Sequence, residues 1–552
     1  MTASDAAARA PHRGPTVAGT LTGLLAGQPD PEAIACFDRE RPVSFGELAD
    51  ESARLAGALR GLGVVEGDRV AIWLPNATAW LATFVACARL GAIAVAVNTR
   101  FRAAELADIV GRSGARVLVT WPAFARADFV AVLEGCPPAS LAGLHAVVAY
   151  DEGEADGVAR LDALRAALPA GARLCRYREA IAGQPLAEDR AAPDKGCAIF
   201  TTSGTTRAPK FVLHDQRTLV AHAADVVCAW GVDGGSTLLL APPLCGVFGV
   251  CCALAMLVAG RPFAMMPAWD ARLAAELIER HRATHLNATD DAIDQLLALD
   301  DRTPAFPSLR FVGYAAFNPA LVDIVERADA RGLRLVGLYG ISEIQALFAR
   351  QPEDAPIAQR RLAGGLPVAA AAQVRARDPG TGAVLPHGDA GELEFRCPSR
   401  MVGYFGNPQA TAEAIDAEGW YRSGDLGYTL ADGRFVFLTR LGDSLRLGGF
   451  LTSPGEIEEC VQGAPGIDGC QVVGVTTGGA LRPVAFVTLR PGAAFDEAAV
   501  IGHVAARLAR YKVPVRVFAI DAFPVTEGTN ATKIQKHRLR DLALSRLGEA
   551  AG

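Results

Sequence analysis

Hydrophobic and polar positions fall into two alternating patterns along most of the chain. Short runs rich in β-branched residues occupy 69–75, 115–120 and 143–150. Between such runs lie stretches in which apolar residues recur every three or four positions, as in 44–63. Strands that alternate with helices in this way predict parallel sheets covered by helices.

The pattern changes after about residue 380. Strand-like segments at 391–397, 433–440, 470–475 and 482–490 are joined by turns containing Gly, Asp and Pro, and a helical pattern follows at 494–511. We therefore predict an α/β protein with a disordered tail (1–15), a large N-terminal domain of parallel-rich sheets covered by helices (16–440), and a small, mobile α+β C-terminal domain (441–552).

One segment is apolar enough to be considered for a membrane span. Residues 237–260 carry no charge, and about 20 apolar residues suffice to cross a bilayer. However, Pro242 and Pro243 would interrupt a helix early, and neither end has a Lys/Arg cluster or a Trp/Tyr belt. The sequence favours a buried strand, a turn and a buried helix.

Composition narrows the class of protein. A chain of 552 residues that is 51% hydrophobic and 21% charged is expected to fold into more than one domain. The net charge of −6, without a long basic run, gives no indication of a nucleic-acid partner. The twelve cysteines form no C-x-x-C pair, and the N-terminus lacks the apolar core of a signal peptide. We expect a cytoplasmic protein with reduced thiols and no membrane span.

The first candidate chemistry lies in the loop TTSGTTRAPK, residues 201–210. It follows the apolar run 196–200, so its hydroxyls and backbone N–H groups are expected at a strand end, where α/β sheets bind ligands. Hydroxyls, a glycine and a lysine suit a phosphate group. The loop is not a P-loop, because no Ser or Thr follows Lys210 to hold magnesium. From its residues alone the loop is equally compatible with a surface turn.

Six motifs occur in a recognisable order. They are FTTSGTTRAPK (200–210), GYAAFNPAL (313–321), LYGISEI (338–344), GWYRSGDLG (419–427), LTRLGDSLRLGGFLTSPGEIE (438–458) and NATKIQKHRLRD (530–541). Together they resemble the successive core motifs of the adenylate-forming ligases, which include acyl- and aryl-CoA synthetases, peptide-synthetase adenylation domains and luciferases. The resemblance spans roughly residues 40–545.

This resemblance implies a two-step reaction. A carboxylate attacks the α-phosphorus of ATP to give an acyl-adenylate and pyrophosphate, and a thiol, commonly that of coenzyme A, then displaces AMP. ATP, Mg²⁺ and coenzyme A are the implied cofactors, and a small carboxylic acid is the implied substrate. Because two anions must meet, positioning and charge stabilisation are the main tasks of such a protein.

The resemblance also assigns residues to the nucleotide. The phosphate loop would comprise Thr202, Ser203, Gly204, Thr205, Thr206 and Lys210. The adenine side would comprise Gly313, Tyr314, Ala315, Tyr339 and Gly340. Asp425 would accept hydrogen bonds from both ribose hydroxyls, a task suited to a carboxylate with two acceptor oxygens, and Arg440 would also contact the nucleotide. Without the family, Asp425 is compatible with an Asx turn and Arg440 with a surface cation.

The implied catalytic residues are Ser342, Glu343 and Lys533. Ser342 stands where the family usually has Thr near the α-phosphate, and Glu343 matches the acid linked to magnesium. Lys533 matches the lysine that enters the site during adenylation, where its ammonium would neutralise developing charge. Read alone, Glu343 is a solvated carboxylate and Lys533 belongs to a basic helix face.

Further residues are implied at the hinge, the thiol tunnel and the acid pocket. Gly442 occupies the hinge position, where the family often has Asp or Lys, and Gly448 and Gly449 match small residues beside the pantetheine tunnel. The expected pocket residues are Cys245, Gly246, Asp290 and Asp291. The two aspartates would bind an amine on the substrate, or they would form an acidic first turn of a helix capped by Thr289.

Departures from the family keep other functions open. Arg207 replaces a usual glycine, Gly246 a usual histidine or aromatic residue, and Tyr314 one of two glycines. A kinase is disfavoured, because neither a P-loop nor an H-R-D motif is present. The remaining alternatives are an adenylating enzyme that delivers to a carrier protein in trans or to an amine, one that activates an unusual oxyacid, and a binding protein that has lost the chemistry.

Overall fold

The computed structural model describes residues 19–124, 126–151, 157–202, 209–318, 321–443, 445–447, 450–477, 480–508, 510–527 and 532–549. The helices in these ranges are α1 (Leu21–Ala26), α2 (Phe45–Gly61), α3 (Thr78–Leu90), α4 (Ala103–Ser113), α5 (Phe129–Glu134), α6 (Pro138–Leu141), α7 (Gly157–Ala167), α8 (Tyr177–Ala182), α9 (Gln216–Trp230), α10 (Val247–Val258), α11 (Ala271–His281), α12 (Asp290–Leu297), α13 (Ile324–Ala330), α14 (Ile357–Arg360), α15 (Pro408–Ala414), α16 (Pro454–Gln462), α17 (Glu497–Ala505) and α18 (Lys536–Glu549).

The strands are β1 (Ile34–Asp38), β2 (Arg41–Ser44), β3 (Arg69–Trp73), β4 (Ile93–Ala96), β5 (Ala115–Thr120), β6 (Ala146–Ala149), β7 (Arg173–Arg176), β8 (Gly196–Thr201), β9 (Phe211–Asp215), β10 (Leu238–Leu240), β11 (Phe263–Met265), β12 (His285–Thr289), β13 (Phe311–Ala315), β14 (Leu335–Ile341), β15 (Gln345–Arg350), β16 (Gly364–Pro367), β17 (Gln373–Arg377), β18 (Gly391–Arg396), β19 (Gly403–Tyr404), β20 (Tyr421–Thr429), β21 (Phe435–Arg440), β22 (Leu445–Leu447), β23 (Phe450–Thr452), β24 (Ile467–Thr477), β25 (Ala480–Leu489), β26 (Arg516–Ala519), β27 (Val525–Glu527) and β28 (Thr532–Ile534).

Two large mixed sheets form the body of the molecule. The first has the order β17-β18-β20-β21-β16-β15-β14-β13-β12-β10-β11-β1-β2, and the second has the order β19-β9-β8-β4-β3-β5-β6-β7. Pairing is parallel from β1 through β14 in the first sheet and from β8 through β7 in the second. The predicted α/β class with parallel sheets is therefore confirmed for the centre of each sheet.

Helices α3, α9 and α10 lie between the two sheets. One continuous apolar cluster joins residues of these helices to Ile72 of the second sheet and to Leu240 and Met265 of the first. The outer face of each sheet packs against further helices, α4 and α5 on one side and α11 to α13 on the other. This gives a layered α-β-α-β-α arrangement, in which α10 is enclosed on nearly all sides.

The uncharged segment 237–260 is explained by this arrangement. It forms β10 and then α10, as the sequence predicted, and most residues of α10 are buried between the sheets. A helix enclosed on all sides is apolar all round, so it resembles a membrane span in composition. Among the residues that the structure describes, no helix is long and apolar enough to cross a membrane.

The strands after residue 380 account for the change of pattern there. The segments around 391–397 and 433–440, which lie within the predicted N-terminal range 16–440, form β18 and β21 of the first large sheet. The sheet reaches them through the antiparallel strands β15 and β16. Their alternating, turn-rich pattern therefore reports antiparallel pairing at one end of the large sheet rather than a change of domain.

Strands after β21 form separate, smaller sheets. Strands β24, β25 and β26 make a three-stranded sheet, with α16 and α17 on one face and α18 on the other. Two hairpins, β22-β23 and β27-β28, complete this part. The boundary at residue 440 stays a prediction, and it coincides with the end of β21.

Candidate active site

The predicted phosphate loop connects two antiparallel neighbours, β8 and β9. Thr202 and Lys210 close the base of this loop, because the backbone N of Thr202 donates to the carbonyl of Lys210 (3.1 Å) and the N of Lys210 donates to Oγ1 of Thr202 (3.1 Å). Ser203, Gly204, Thr205, Thr206 and Arg207 lie outside the described residues. Thr202 and Lys210 therefore lie side by side, where β8 ends and β9 begins.

Tyr404 links this loop to Glu343. Its ring lies under the ammonium of Lys210, with 4.5 Å from Nζ to the ring centroid, and its hydroxyl donates to Oε1 of Glu343 (2.9 Å). Burial and the charge of Glu343 raise the pKa of Tyr404, so the phenol keeps its proton. Tyr404 lies in none of the six motifs, because strand β19 has only two residues and no pattern in the sequence marks its contact with Glu343.

Ser342 and Glu343 lie in the connection between β14 and β15, and Glu343 is buried. The charge of Glu343 is close enough to raise the pKa values of Asp425 and Tyr421. The resemblance assigns Glu343 and Asp425 to the same nucleotide site. In the structure the two carboxyl groups are close enough for their charges to interact.

Asp425 and Arg440 face each other across β20 and β21. Nη1 of Arg440 lies 2.8 Å from Oδ1 of Asp425, and the hydroxyl of Tyr339 donates to Oδ2 (2.6 Å). Burial raises the pKa of the Asp425 carboxyl to about 6, although Arg440 and Tyr339 act in the opposite direction. Oδ1 is buried and ion-paired with Arg440, and a carboxylate oxygen has a second lone pair with which it can accept a ligand hydroxyl.

Tyr339 and Gly340 stand at the end of β14. The ring of Tyr339 packs among Phe395, Phe435 and Phe437. A side chain on Gly340 would meet backbone atoms of the facing strand, since its Cβ would lie 2.6 Å from Cα of Ala346. The glycine is therefore required by the close approach of β14 and β15.

Gly313, Tyr314 and Ala315 end β13, beside β12 and β14. Tyr314 is buried in the apolar cluster formed with α11 to α13, and its hydroxyl donates to the carbonyl of Arg361 (2.7 Å). Ala315 packs instead against the cluster between the sheets. Alternate strand residues face opposite sides, so the side chain of Tyr314 is directed away from that of Ala315.

The expected pocket residues separate into two groups. Cys245 is buried, which raises its pKa to about 11, and Gly246 immediately precedes α10. Asp290 opens α12, and Thr289 caps the helix as the second of the two predictions stated. The Asp290 carboxylate accepts from the backbone N of Phe317 (2.8 Å).

Asn318 completes the binding of both acids. Its backbone N donates to Oδ2 of Asp290 (2.7 Å), and its side-chain amide donates to Asp291 (2.7 Å). Oδ1 of Asp290 accepts from the backbone N of Asp291. The structure thus favours a structural role for Asp290, which fixes the chain after β13, over the hypothesis that it binds a substrate amine.

The C-terminal site residues are described only in part. Gly442 lies in a short 3-10 helix, Leu441–Asp443, directly after β21. The backbone of Lys533 belongs to β28, paired with β27. Gly448 and Gly449 lie outside the described residues.

Comparison with known proteins agrees with this geometry. The profile of the AMP-binding enzymes matches residues 25–405, and that of the AMP-binding enzyme C-terminal domain matches residues 456–528. The chain belongs to the AMP-binding enzymes. The predicted membership of the adenylate-forming ligases is confirmed, and so is the prediction of an AMP-forming acid–CoA ligase, which makes an acyl-adenylate and then an acyl-CoA.

Curated relatives are CoA ligases that differ in their acids. A 3-[(3aS,4S,7aS)-7a-methyl-1,5-dioxo-octahydro-1H-inden-4-yl]propanoyl:CoA ligase of Mycobacterium tuberculosis is 32% identical, over 96% of this chain and 99% of the relative. A sulfoacetate–CoA ligase of Cupriavidus necator is 31% identical, over 91% and 94%. ATP-bound MatB from Rhodopseudomonas palustris shares the fold, with a TM-score of 0.79 at 24% identity, covering 95% of this chain and 98% of that one.

Proposed function

We propose that the cluster around Tyr404 and Asp425 is the adenylation site of this ligase. The observation that carries the proposal is the convergence of three motifs: Lys210 reaches Glu343 through Tyr404, and the charge of Glu343 acts on Asp425. Lys210 and the hydroxyls of the preceding loop would bind the phosphates. Asp425 would accept the ribose hydroxyls, with Tyr339 and Arg440 holding its carboxylate in place.

In the first step, a carboxylate oxygen of the substrate would attack the α-phosphorus, and the bond from that phosphorus to the bridging oxygen of pyrophosphate would break. The loop cations would stabilise the leaving pyrophosphate, while Ser342 would lie beside the α-phosphate. Lys533 would offset the charge that develops between the two anions. The family motifs support these roles, and the contacts of Tyr404 with Lys210 and Glu343 support the phosphate-binding one.

Glu343 is the residue that would hold Mg²⁺. Magnesium is commonly bound through one or two carboxylates together with substrate phosphates and waters, so a single buried carboxylate near the phosphate loop fits this ion. The ion would neutralise phosphate charge.

In the second step, a thiol would attack the carbonyl carbon of the acyl-adenylate, and AMP would leave with the electron pair of the broken acyl–phosphate bond. The C-terminal part would turn about Gly442 between the two steps, bringing Gly448 and Gly449 beside the thiol arm. Coenzyme A is the proposed acceptor, because the curated relatives are CoA ligases.

The first experiment is exchange of labelled pyrophosphate into ATP, with magnesium and without coenzyme A. The panel of acids should span fused-ring, aryl, amino-aryl, fatty and sulfonated carboxylic acids. We expect exchange with one class, and AMP release on addition of coenzyme A. Lys533→Ala should lower exchange at least a hundredfold, whereas Lys195→Ala, which removes a surface ion pair with Glu66, should not.

Other outcomes would redirect the assignment. Exchange without CoA-dependent AMP release would favour a carrier protein or an amine as the acceptor. ATP binding without exchange across the whole panel would contradict the proposed activity and favour a protein that only binds nucleotide.

A further inference from the structure

The backbone is unusual where the connection that carries Ser342 and Glu343 runs into β15. Gln345 and Leu347 adopt φ values of +70° and +61°, a left-handed conformation that is uncommon for residues with side chains. Such residues persist only where surrounding contacts hold them. We call residues 342–346 the site segment, and its geometry must be set by groups outside it.

Those groups bind the carbonyls of the site segment almost one after another. Met401 donates its backbone N to the carbonyl of Glu343 (2.7 Å), and Ser399 donates its hydroxyl to that of Ile344 (2.8 Å). The two remaining donors are histidines. Nε2 of His214 lies 2.7 Å from the carbonyl oxygen of Ser342, and Nε2 of His222 lies 2.7 Å from that of Ala346.

The two histidines form one structural unit. His214 lies in β9 and His222 in α9, the helix that directly follows β9. Both are buried, at 0% and 1% exposure. The same helix receives a bond in return, because the side-chain amide of Gln345 donates to the carbonyl of Thr218 (2.9 Å).

The chemistry of each contact fixes the protonation of the rings. A carbonyl oxygen only accepts, so each Nε2 must carry the hydrogen. Burial lowers the pKa of both histidines to about 4, so the rings are neutral near pH 7. Each Nδ1 is then a buried acceptor without a hydrogen-bond partner among the described residues. A buried acceptor without a partner is unfavourable for stability. We therefore infer that the hydrogen bonds made by Nε2 are what these two buried histidines contribute to the structure.

We propose that His214 and His222 are positioning residues, which hold the site segment so that Ser342 and Glu343 face the nucleotide. The proposal rests on the adenylation site proposed above. His214 acts on the peptide unit between Ser342 and Glu343, and β9 begins directly after Lys210, so one strand sets both the phosphate loop and the Glu343 backbone.

The test uses paired amide variants. Gln at either position can place an N–H near the site of Nε2, whereas Asn has the same chemistry but is one methylene too short. We expect His214→Asn and His222→Asn to lower the rate of ATP–pyrophosphate exchange about tenfold and to raise the Mg²⁺ concentration for half-maximal exchange several-fold. His214→Gln and His222→Gln should stay within about threefold of the parent.

His285 supplies the matched control. It is also buried and its Nε2 also contacts a carbonyl, that of Trp230 (3.1 Å), but this carbonyl lies outside the site segment. His285→Asn should lower the melting temperature without changing the Mg²⁺ requirement. If His214→Asn and His222→Asn also changed only the melting temperature, or if Gln and Asn behaved alike, the proposal would be overturned.

A second readout separates this proposal from the assignment of the reaction. Calorimetric binding of Mg·ATP requires no turnover, so it applies even if no acid supports exchange. Weaker Mg·ATP binding by the Asn variants than by the Gln variants would support the positioning role. Equal binding by all four variants would contradict it, whether or not the parent protein is active.

Discussion

The Tyr404 hydroxyl lies 2.9 Å from Oε1 of Glu343, while the Tyr404 ring lies under Lys210. One side chain thus contacts a residue of the phosphate loop and the acid that would hold magnesium. Tyr421 of β20 lies in the same buried aromatic cluster as Tyr404. Tyr404 therefore couples the position of the Lys210 ammonium to that of the Glu343 carboxylate.

Tyr404→Phe should separate the two contacts. The variant keeps the ring beneath Lys210 but loses the hydrogen bond to Glu343, so we expect pyrophosphate exchange to fall about tenfold and the Mg²⁺ requirement to rise. Tyr177→Phe is the control, because it removes a similar bond to Glu51 (2.7 Å) away from the site. Equal effects of both variants on exchange would contradict a specific role for Tyr404.

The sequence carried the motifs but not the contacts between them. Glu343, Asp425 and Arg440 were found because each lies in a motif with family spacing. Tyr404, His214 and His222 were missed, since their partners lie more than 60 residues away in the chain and two of the partners are backbone carbonyls. A carbonyl has no side-chain signature, so no residue pattern could have identified those contacts.

The fold shows the same division. Alternating strands and helices predicted the parallel centres of both sheets, because local periodicity reports burial of each element. The antiparallel end of the first sheet was not predicted, since β18 and β21 have the pattern of any half-buried strand. Which sheet a strand joins depends on long-range pairing, and local periodicity does not encode it.

Gly340→Ala should disturb the site segment directly. The new methyl group would lie 2.6 Å from Cα of Ala346 and 2.8 Å from the carbonyl oxygen of Gln345, so the two strands would have to separate. We expect at least a tenfold loss of exchange and a loss of about 1–3 kcal/mol in the free energy of unfolding. Gly502→Ala, where a methyl group meets nothing within 4 Å in α17, should be neutral or slightly stabilising.

Asp290→Ala should reduce stability without changing the choice of acid. The carboxylate accepts backbone hydrogen bonds from Phe317 and Asn318, so its loss leaves these partly buried donors without their partner and should cost about 1 kcal/mol. Chemical denaturation measures the stability, and exchange with matched amino-substituted and plain acids measures the preference. A shift of preference toward the plain acids would restore the hypothesis of an amine contact.

Gly442→Pro should affect the second half-reaction more than the first. Proline fixes φ and limits the rotation expected of a hinge, so we predict near-normal pyrophosphate exchange but slower acyl-CoA formation. Gly442→Ala is the matched control, because a methyl group there meets nothing within 4 Å. Single-turnover experiments measure the rate of each half-reaction in both variants. An equal loss of rate in both half-reactions of the proline variant would count against a hinge at this position.

Binding of a ribose should depend on the protonation of Asp425. Only the carboxylate can accept two hydroxyls, and burial places the pKa of this group at about 6. The groups that act on it are Tyr339 and Arg440, which favour the charged form, and Glu343 and Glu392, which disfavour it. Because the acceptor form is lost as the pH falls through 6, affinity should be constant above pH 7 and about tenfold lower at pH 5.

Adenosine is the appropriate ligand for this measurement, because it has both ribose hydroxyls but no phosphate that titrates in the same range. Calorimetric titration between pH 5 and 8 should give the predicted fall for the parent protein. Asp425→Asn, which keeps one acceptor oxygen and cannot titrate, should bind adenosine more weakly and without pH dependence. A parent affinity that stays constant down to pH 5 would mean that Asp425 does not accept the ribose hydroxyls as a carboxylate.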